Sequence, residues 1–99
     1  MTEDTKSEIT TEIARCLKEA KEIRKIVVFG SFLTSDCPAD VDVAVFQDSD
    51  EDYLSLAMKY RSLSKSVSDR IPLDVIPLRR DAKGFLVEEI NKGKVIYER

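Results

Sequence analysis

The chain has no histidine and no tryptophan, and only two cysteines, three glycines and three prolines among its 99 residues. The lack of histidine excludes Ser-His-Asp and Cys-His catalysis and every His-ligated metal centre before geometry is considered. Cys16 and Cys37 show no CxxC spacing and have no further Cys or His to complete a zinc site, so both read as reduced bystanders. With so little Gly and Pro, and with 42% hydrophobic and 35% charged residues, the composition is that of a compact soluble protein rather than a disordered or fibrous one. No run approaches the ~20 apolar residues of a membrane helix. The acidic opening Met1-Thr2-Glu3-Asp4 does not suit a secretory signal, so the cytoplasm is the expected compartment. A net charge of −3 and a pI near 5.0 argue against broad non-specific binding to nucleic acid, which needs clustered cations, and leave room only for a local basic patch. Ninety-nine residues make one domain, 1–99, with a modest core.

What is present is periodic. Ile9, Ile13, Cys16, Leu17 and Ala20 draw one stripe on a helix over 5–22, and Thr5 with Glu8 fits a capping box. Ile26 to Phe29 is a short apolar strand that stops at Gly30-Ser31, and a ten-residue connection to Ala39 follows, with turn formers Ser35, Asp36 and Pro38. A second strand over 40–46 places Asp40, Asp42, Ala44 and Phe46 on one face and Val41, Val43 and Val45 on the other. The acidic run "DSDED" at 48–52 marks a helix start, with Ser49 three places before Asp52. The helix then carries Tyr53, Leu56, Ala57, Tyr60, Leu63 and Val67 toward the core. Pro72 and Pro77 place the third strand, 70–78, at a sheet edge or confine it to the few residues between them. A short helix near 82–92, with Phe85, Leu86 and Ile90 apolar and Gly93 as its stop, leads to a last strand, Val95–Tyr97.

The chemistry sits where this pattern breaks its own rules. Asp is a poor strand former, yet Asp40 and Asp42 stand in or beside a strand, and Asp74 stands in another between Leu73 and Val75. Same-face neighbours on a strand are about 6.6 Å apart, so the carboxylates of Asp40 and Asp42 can converge. Two like charges ~4 Å apart repel by roughly 4 kcal/mol at an effective dielectric of 20, which a bound cation or a raised pKa relieves. Oxygen-only ligands suit Mg²⁺, whose shell is completed by water and substrate phosphates. Gly30 at a strand end lets an anion approach the backbone, and Ser31 adds a hydroxyl. Taken alone, Gly-Ser describes an ordinary turn as well as it does an anion cradle. Similarly, Asp40 and Asp42 alone fit a turn cap and a solvated strand mouth, and Asp74 alone fits an edge-strand charge that discourages aggregation. With the third acid beside the other two, and Gly-Ser ahead of them, a two-ion phosphoryl-transfer site is favoured. Arg79 and Arg80 could contact phosphate, but two cations just past a strand are more often a solvated loop.

"VVFGSF" followed by "ADVDVAV", the later "LDVI" and the ending "FLVEEINKGKVIYER" together resemble the minimal nucleotidyltransferases of the DNA polymerase β superfamily. The resemblance spans the chain from Lys25 onward and implies an α+β, two-layer fold, a mixed sheet of about four strands with helices packed on it. It implies that Asp40 and Asp42 bind two divalent ions (Mg²⁺, with Mn²⁺ as an alternative), that Asp74 binds the catalytic ion and helps activate the acceptor hydroxyl, and that Gly30 and Ser31 hold nucleotide phosphates. The substrate it implies is ATP or another NTP, and the product a nucleoside monophosphate on a hydroxyl. Minimal nucleotidyltransferases are often paired with HEPN-type proteins as antitoxins, some adding AMP to a tyrosine of the toxin. Two features depart from the pattern: only eight residues separate Ser31 from Asp40, a short loop for the family, and Phe32 stands where a basic residue often follows Gly-Ser. Two other classes therefore stay open, a binding module that neutralises its partner by contact alone and a nucleotide sensor without turnover.

Overall fold

Hydrophobic side chains of two periods, near 3.6 on the helices and 2 on the strands, build a sheet and its cover. The computed structural model describes all of residues 1–99. In chain order the elements are α1 (Glu3–Leu17), β1 (Ile23–Phe29), α2 (Ser31–Thr34), β2 (Val41–Gln47), α3 (Tyr53–Leu63), α4 (Lys65–Ser68), β3 (Leu73–Arg79), α5 (Phe85–Ile90) and β4 (Lys94–Glu98). The strands form one four-stranded mixed sheet in the order β3-β2-β1-β4. β1 runs antiparallel to β2 and β4, and β2 runs parallel to β3. The α+β class is as the sequence led us to expect; of the two readings of the prolines the edge position holds, while β3 runs on through Pro77 to Arg79 instead of ending between them.

The two faces are covered unequally. Val41, Val43 and Val45 of β2, with Ile26, Val28, Leu73 and Val75, meet Ile9, Ile13 and Leu17 of α1 and Leu56 and Tyr60 of α3 in the main core. Each such side chain stabilises the fold by about 1.5–3 kcal/mol when fully buried. The other face is shielded only by α5, six residues long, whose Val87 and Ile90 pack on Val27, Ala44 and Phe46. Asp42 alternates with Ala44 and Phe46, so it belongs to this thinly covered face.

Element ends differ from the sequence reading in ways that local chemistry explains. Thr2, not Thr5, caps α1, accepting the Thr5 N–H at 3.0 Å, which leaves Glu3 and Asp4 in the first turn against the positive helix end. Asp52, not Ser49, caps α3 by accepting the Ser55 N–H at 2.8 Å, because the Ser49 hydroxyl donates to Gln47 Oε1 instead. The helix expected over 53–67 breaks at Ser64, where φ −102° and ψ 24° leave the helical region. Tyr53 faces solvent rather than the core, as do Phe85 and Leu86.

Tyr60 shows how the core ties to a surface charge. Its ring is fully buried while its hydroxyl donates to Glu22 Oε2 at 2.8 Å, the oxygen that also accepts from Lys59 Nζ at 2.9 Å. Burial alone pushes the Glu22 carboxyl up, but these two hydrogen bonds outweigh it and hold the group below its ordinary 4.5. Tyr60→Phe is expected to lower stability by about 1–1.5 kcal/mol in urea unfolding. The Glu22 contribution is complete above pH 4.5 and is lost as pH falls through the depressed folded value, so Glu22→Gln should flatten the acid limb of a melting-temperature profile.

Candidate active site

The parallel register of β2 and β3 sets Asp42 directly beside Asp74. Asp40 stands two residues earlier, just ahead of Val41, the first residue of β2. Carboxylate oxygens of Asp40, Asp42 and Asp74 all lie within 4.8 Å of one another. Asp40 and Asp42 are partly buried and Asp74 is exposed. On the other side, β1 pairs Phe29 with Asp42, so an apolar ring flanks the acids. The Asp42 carboxyl is pushed above its ordinary 3.8, first by burial, then by the charges of Asp40 and Asp74 and a hydrogen bond with Asp74. A cation bound among the three acids would offset the same burial and like-charge repulsion.

The donor set fits a hard divalent ion. Oxygens on opposite sides of Mg²⁺ lie about 4.2 Å apart at ~2.1 Å per ligand, so a cluster of this span closes on an ion with small side-chain rotations. No nitrogen or sulfur donor joins the three acids, which disfavours zinc.

Gly30 brings the Gly-Ser turn against this cluster. Its φ of 82° and ψ of −159° belong to a region open essentially to glycine alone. A Cβ added there would lie 2.8 Å from Asp42 Oδ2. Ser31 follows as the exposed first residue of α2, and Phe32 is buried in the main core, where it pins α2 to the sheet. The departure from the family's basic residue is therefore a packing anchor.

Lys6 is a supporting residue that sequence reasoning missed. It is buried on α1, and its Nζ donates to the Ser35 carbonyl at 2.7 Å, just past the end of α2. Its position three residues before Ile9, on the apolar stripe, was the available signal. Lys6→Met should cost about 1.5–3 kcal/mol, the range for a hydrogen bond from a charged donor. It should also speed amide exchange over residues 35–39.

The sequence profile of the family described as "Polymerase beta, Nucleotidyltransferase" matches residues 11–99. The chain belongs to this nucleotidyltransferase family. Among solved structures it is similar to a complex of tri-AMPylated Shewanella oneidensis HEPN toxin with MNT antitoxin, at 22% identity and a TM-score of 0.66 over 95% of this chain and 73% of that one. It is also similar to the toxin–antitoxin complex MntA–HepT, at 21% identity and a TM-score of 0.63 over 94% of this chain and 73% of that one. A mutant of that complex with two aspartates changed to glutamate gives 21% identity and a TM-score of 0.65 over 91% and 73% of the two chains. These likenesses show the polymerase β-like fold. No curated protein matches the chain. No helix is long and apolar enough to cross a membrane.

Within this nucleotidyltransferase fold, Gly30, Asp40, Asp42 and Asp74 meet at one end of the sheet, with Ser31 beside them. Arg79 and Arg80 do not join them. They lie at the far end of β3, about 16 Å from Asp74 at ~3.3 Å per residue. There Arg79 donates to the Ser49 carbonyl at 3.1 Å and approaches Asp50, and Arg80 approaches Asp48. Volume does not mark the chemistry either. The largest cavity, about 650 Å³, lies between α1 and α4 among Glu8, Glu12, Ser66 and Arg70, with no hydrophobic residue in its lining. None of the five principal cavities is lined by Asp40, Asp42 or Asp74. Of the three acids Asp74 is exposed, while Asp40 and Asp42 are partly buried.

Proposed function

We propose that this chain is a metal-dependent nucleotidyltransferase that moves a nucleoside monophosphate, AMP from ATP, onto a hydroxyl of a partner protein, with a tyrosine of a HEPN-type toxin as the acceptor. The observation that carries the proposal is the register that pairs Asp42 with Asp74 while Asp40 and Gly30 close on the same spot. Asp40 and Asp42 would hold two Mg²⁺ ions, or Mn²⁺ in their place, and Asp74 the ion nearer the acceptor. Ions held there would supply neutralisation of the transferring phosphate and a lowered pKa for the acceptor hydroxyl. Gly30 lets the triphosphate approach the backbone, and the Ser31 hydroxyl donates to a phosphate oxygen. Asp74, the exposed acid, accepts the hydroxyl proton as the acceptor oxygen bonds to the α-phosphorus and the bond to pyrophosphate breaks. Positioning and charge neutralisation provide most of the acceleration, as is usual for phosphoryl transfer.

The exposure of Asp74, and the position of the three acids outside the principal cavities, support a partner that completes the pocket for the base and the acceptor. The solved complex of MNT antitoxin with an AMPylated HEPN toxin supports both the acceptor class and the antitoxin role. A second reading, neutralisation by contact alone, is favoured by the eight-residue spacing from Ser31 to Asp40 and by Phe32 in place of a basic residue. The two separate when labelled ATP, Mg²⁺ and the toxin partner are incubated with wild type or with Asp40→Asn/Asp42→Asn. Label on the toxin that requires both acids supports transfer. Neutralisation that survives the double substitution without any label supports contact alone.

A further inference from the structure

At the end of the sheet away from the aspartates, about 13 Å along β2 from Asp42 at ~3.3 Å per residue, a cavity of about 300 Å³ opens between the sheet and α5. Its lining is mostly polar and carries Arg24, Lys25, Arg80 and Arg99, together with Ala82 and the edges of the nearly buried Phe46 and Val87. Two of these cations are already committed. Arg24 donates to Asp48 at 2.6 Å, and Arg99 donates to the carbonyls of Lys18 and Lys21 and to the Tyr97 hydroxyl. The other two are not. Lys25 has no carboxylate within 4.0 Å; its Nζ lies 4.7 Å from the centroid of the Phe46 ring and 3.4 Å from Asn91 Oδ1. Arg80 reaches only Asp48, at 4.0 Å, the carboxylate that Arg24 holds more closely. Against these four cations stand Glu98 in the lining and Asp48 and Asp81 beside it, which leaves this corner slightly positive on a chain whose net charge is −3.

We propose that this cavity is a second anion site, separate from the nucleotidyltransferase centre, that takes a phosphate monoester with an organic body. Lys25 and Arg80 hold the phosphate as charge-assisted donors. The body lies against the Lys25 stem, Ala82 and the edges of Phe46 and Val87, in a volume at the small end of the range for ligand pockets. The proposal does not depend on the catalytic reading, because it uses no residue of the aspartate cluster and needs no metal.

Binding of AMP and of inorganic phosphate to the full chain, measured by isothermal titration in EDTA at low salt, tests it. AMP is expected to bind saturably and at least tenfold more tightly than inorganic phosphate. Lys25→Gln and Arg80→Gln should each weaken AMP about tenfold, while Asp40→Asn/Asp42→Asn/Asp74→Asn leaves it unchanged. In wild type, amide and side-chain NMR shifts should move at Phe46, Ala82 and Val87, a readout that does not rely on any variant folding. Four results would overturn the proposal: no saturable binding, equal affinity for the two probes (a cation patch without a body site), indifference to both Gln substitutions, or loss of binding in the aspartate variant.

Discussion

Asp42→Asn is expected to abolish nucleotidyl transfer and, in the metal-free protein, to raise the melting temperature. Both effects come from one cause. Asp42 is the innermost of three carboxylates whose oxygens lie within 4.8 Å of one another, and its carboxyl is pushed up by burial and by its two neighbours. Removing the charge takes away a proposed cation ligand, which by analogy with deleting a pre-organised electrostatic group costs about 10²–10³ in rate or more. The same change relieves like-charge repulsion. Solvent screening at a site only partly buried keeps that gain to about 1 kcal/mol at most, equivalent to a few degrees for a chain of this size. The pH dependence has a definite sign. A carboxyl that holds its proton more tightly when folded adds stability below its folded value, and that increment disappears as pH rises from 3.8 through the raised value. Across this window wild type without metal should therefore lose this increment relative to Asp42→Asn, which lacks the titrating group. Calorimetry in EDTA across the window, beside a transfer assay, reads both effects; a variant that is inactive but no more stable than wild type would contradict the repulsion argument.

Gly30→Ala is expected to impair both the fold and the reaction. The backbone at φ 82° and ψ −159° costs a residue with a Cβ about 1–3 kcal/mol. The new methyl would also lie 2.8 Å from Asp42 Oδ2, so the carboxylate must move. A displacement of about 1 Å at a reacting centre costs roughly 10²-fold in rate. Urea unfolding should show the stability loss, and kcat/KM for transfer should fall by about two orders of magnitude in the fraction that remains folded. Transfer at the wild-type rate would mean that the Gly-Ser turn plays no part in positioning Asp42.

What the sequence made legible is uneven, and the reason lies in how far apart the interacting residues are along the chain. The alternation Val41-Asp42-Val43 states that Asp42 opposes the core valines, because side-chain direction on a strand is a local property. That Asp42 and Asp74 are cross-strand neighbours is not local. It follows from the parallel pairing of β2 with β3, and the hydrophobic pattern leaves that register open until the sheet is assembled. Pro72 and Pro77 did disclose the edge position of β3, since a missing donor acts on whichever strand carries it. β1 begins at Ile23, three residues earlier than its apolar run, because Arg24 and Lys25 interrupt the hydrophobic pattern. Those two residues instead mark the rim of the basic cavity. Tyr53 was expected inside and lies outside, and the apolar Phe85 and Leu86 are exposed as well, since α3 and α5 turn other residues, Leu56 and Tyr60 or Val87 and Ile90, toward the sheet.

The central claim is that Asp40, Asp42 and Asp74 form one divalent-cation centre. Mn²⁺ binding followed by electron paramagnetic resonance, with a non-hydrolysable ATP analogue present, addresses it most directly. Wild type should bind Mn²⁺ saturably, and Asp40→Asn, Asp42→Asn and Asp74→Asn should each weaken that binding at least tenfold. Equal Mn²⁺ affinity in wild type and all three variants would show that the acids meet without acting as a metal site, and the account of transfer built on them would fail.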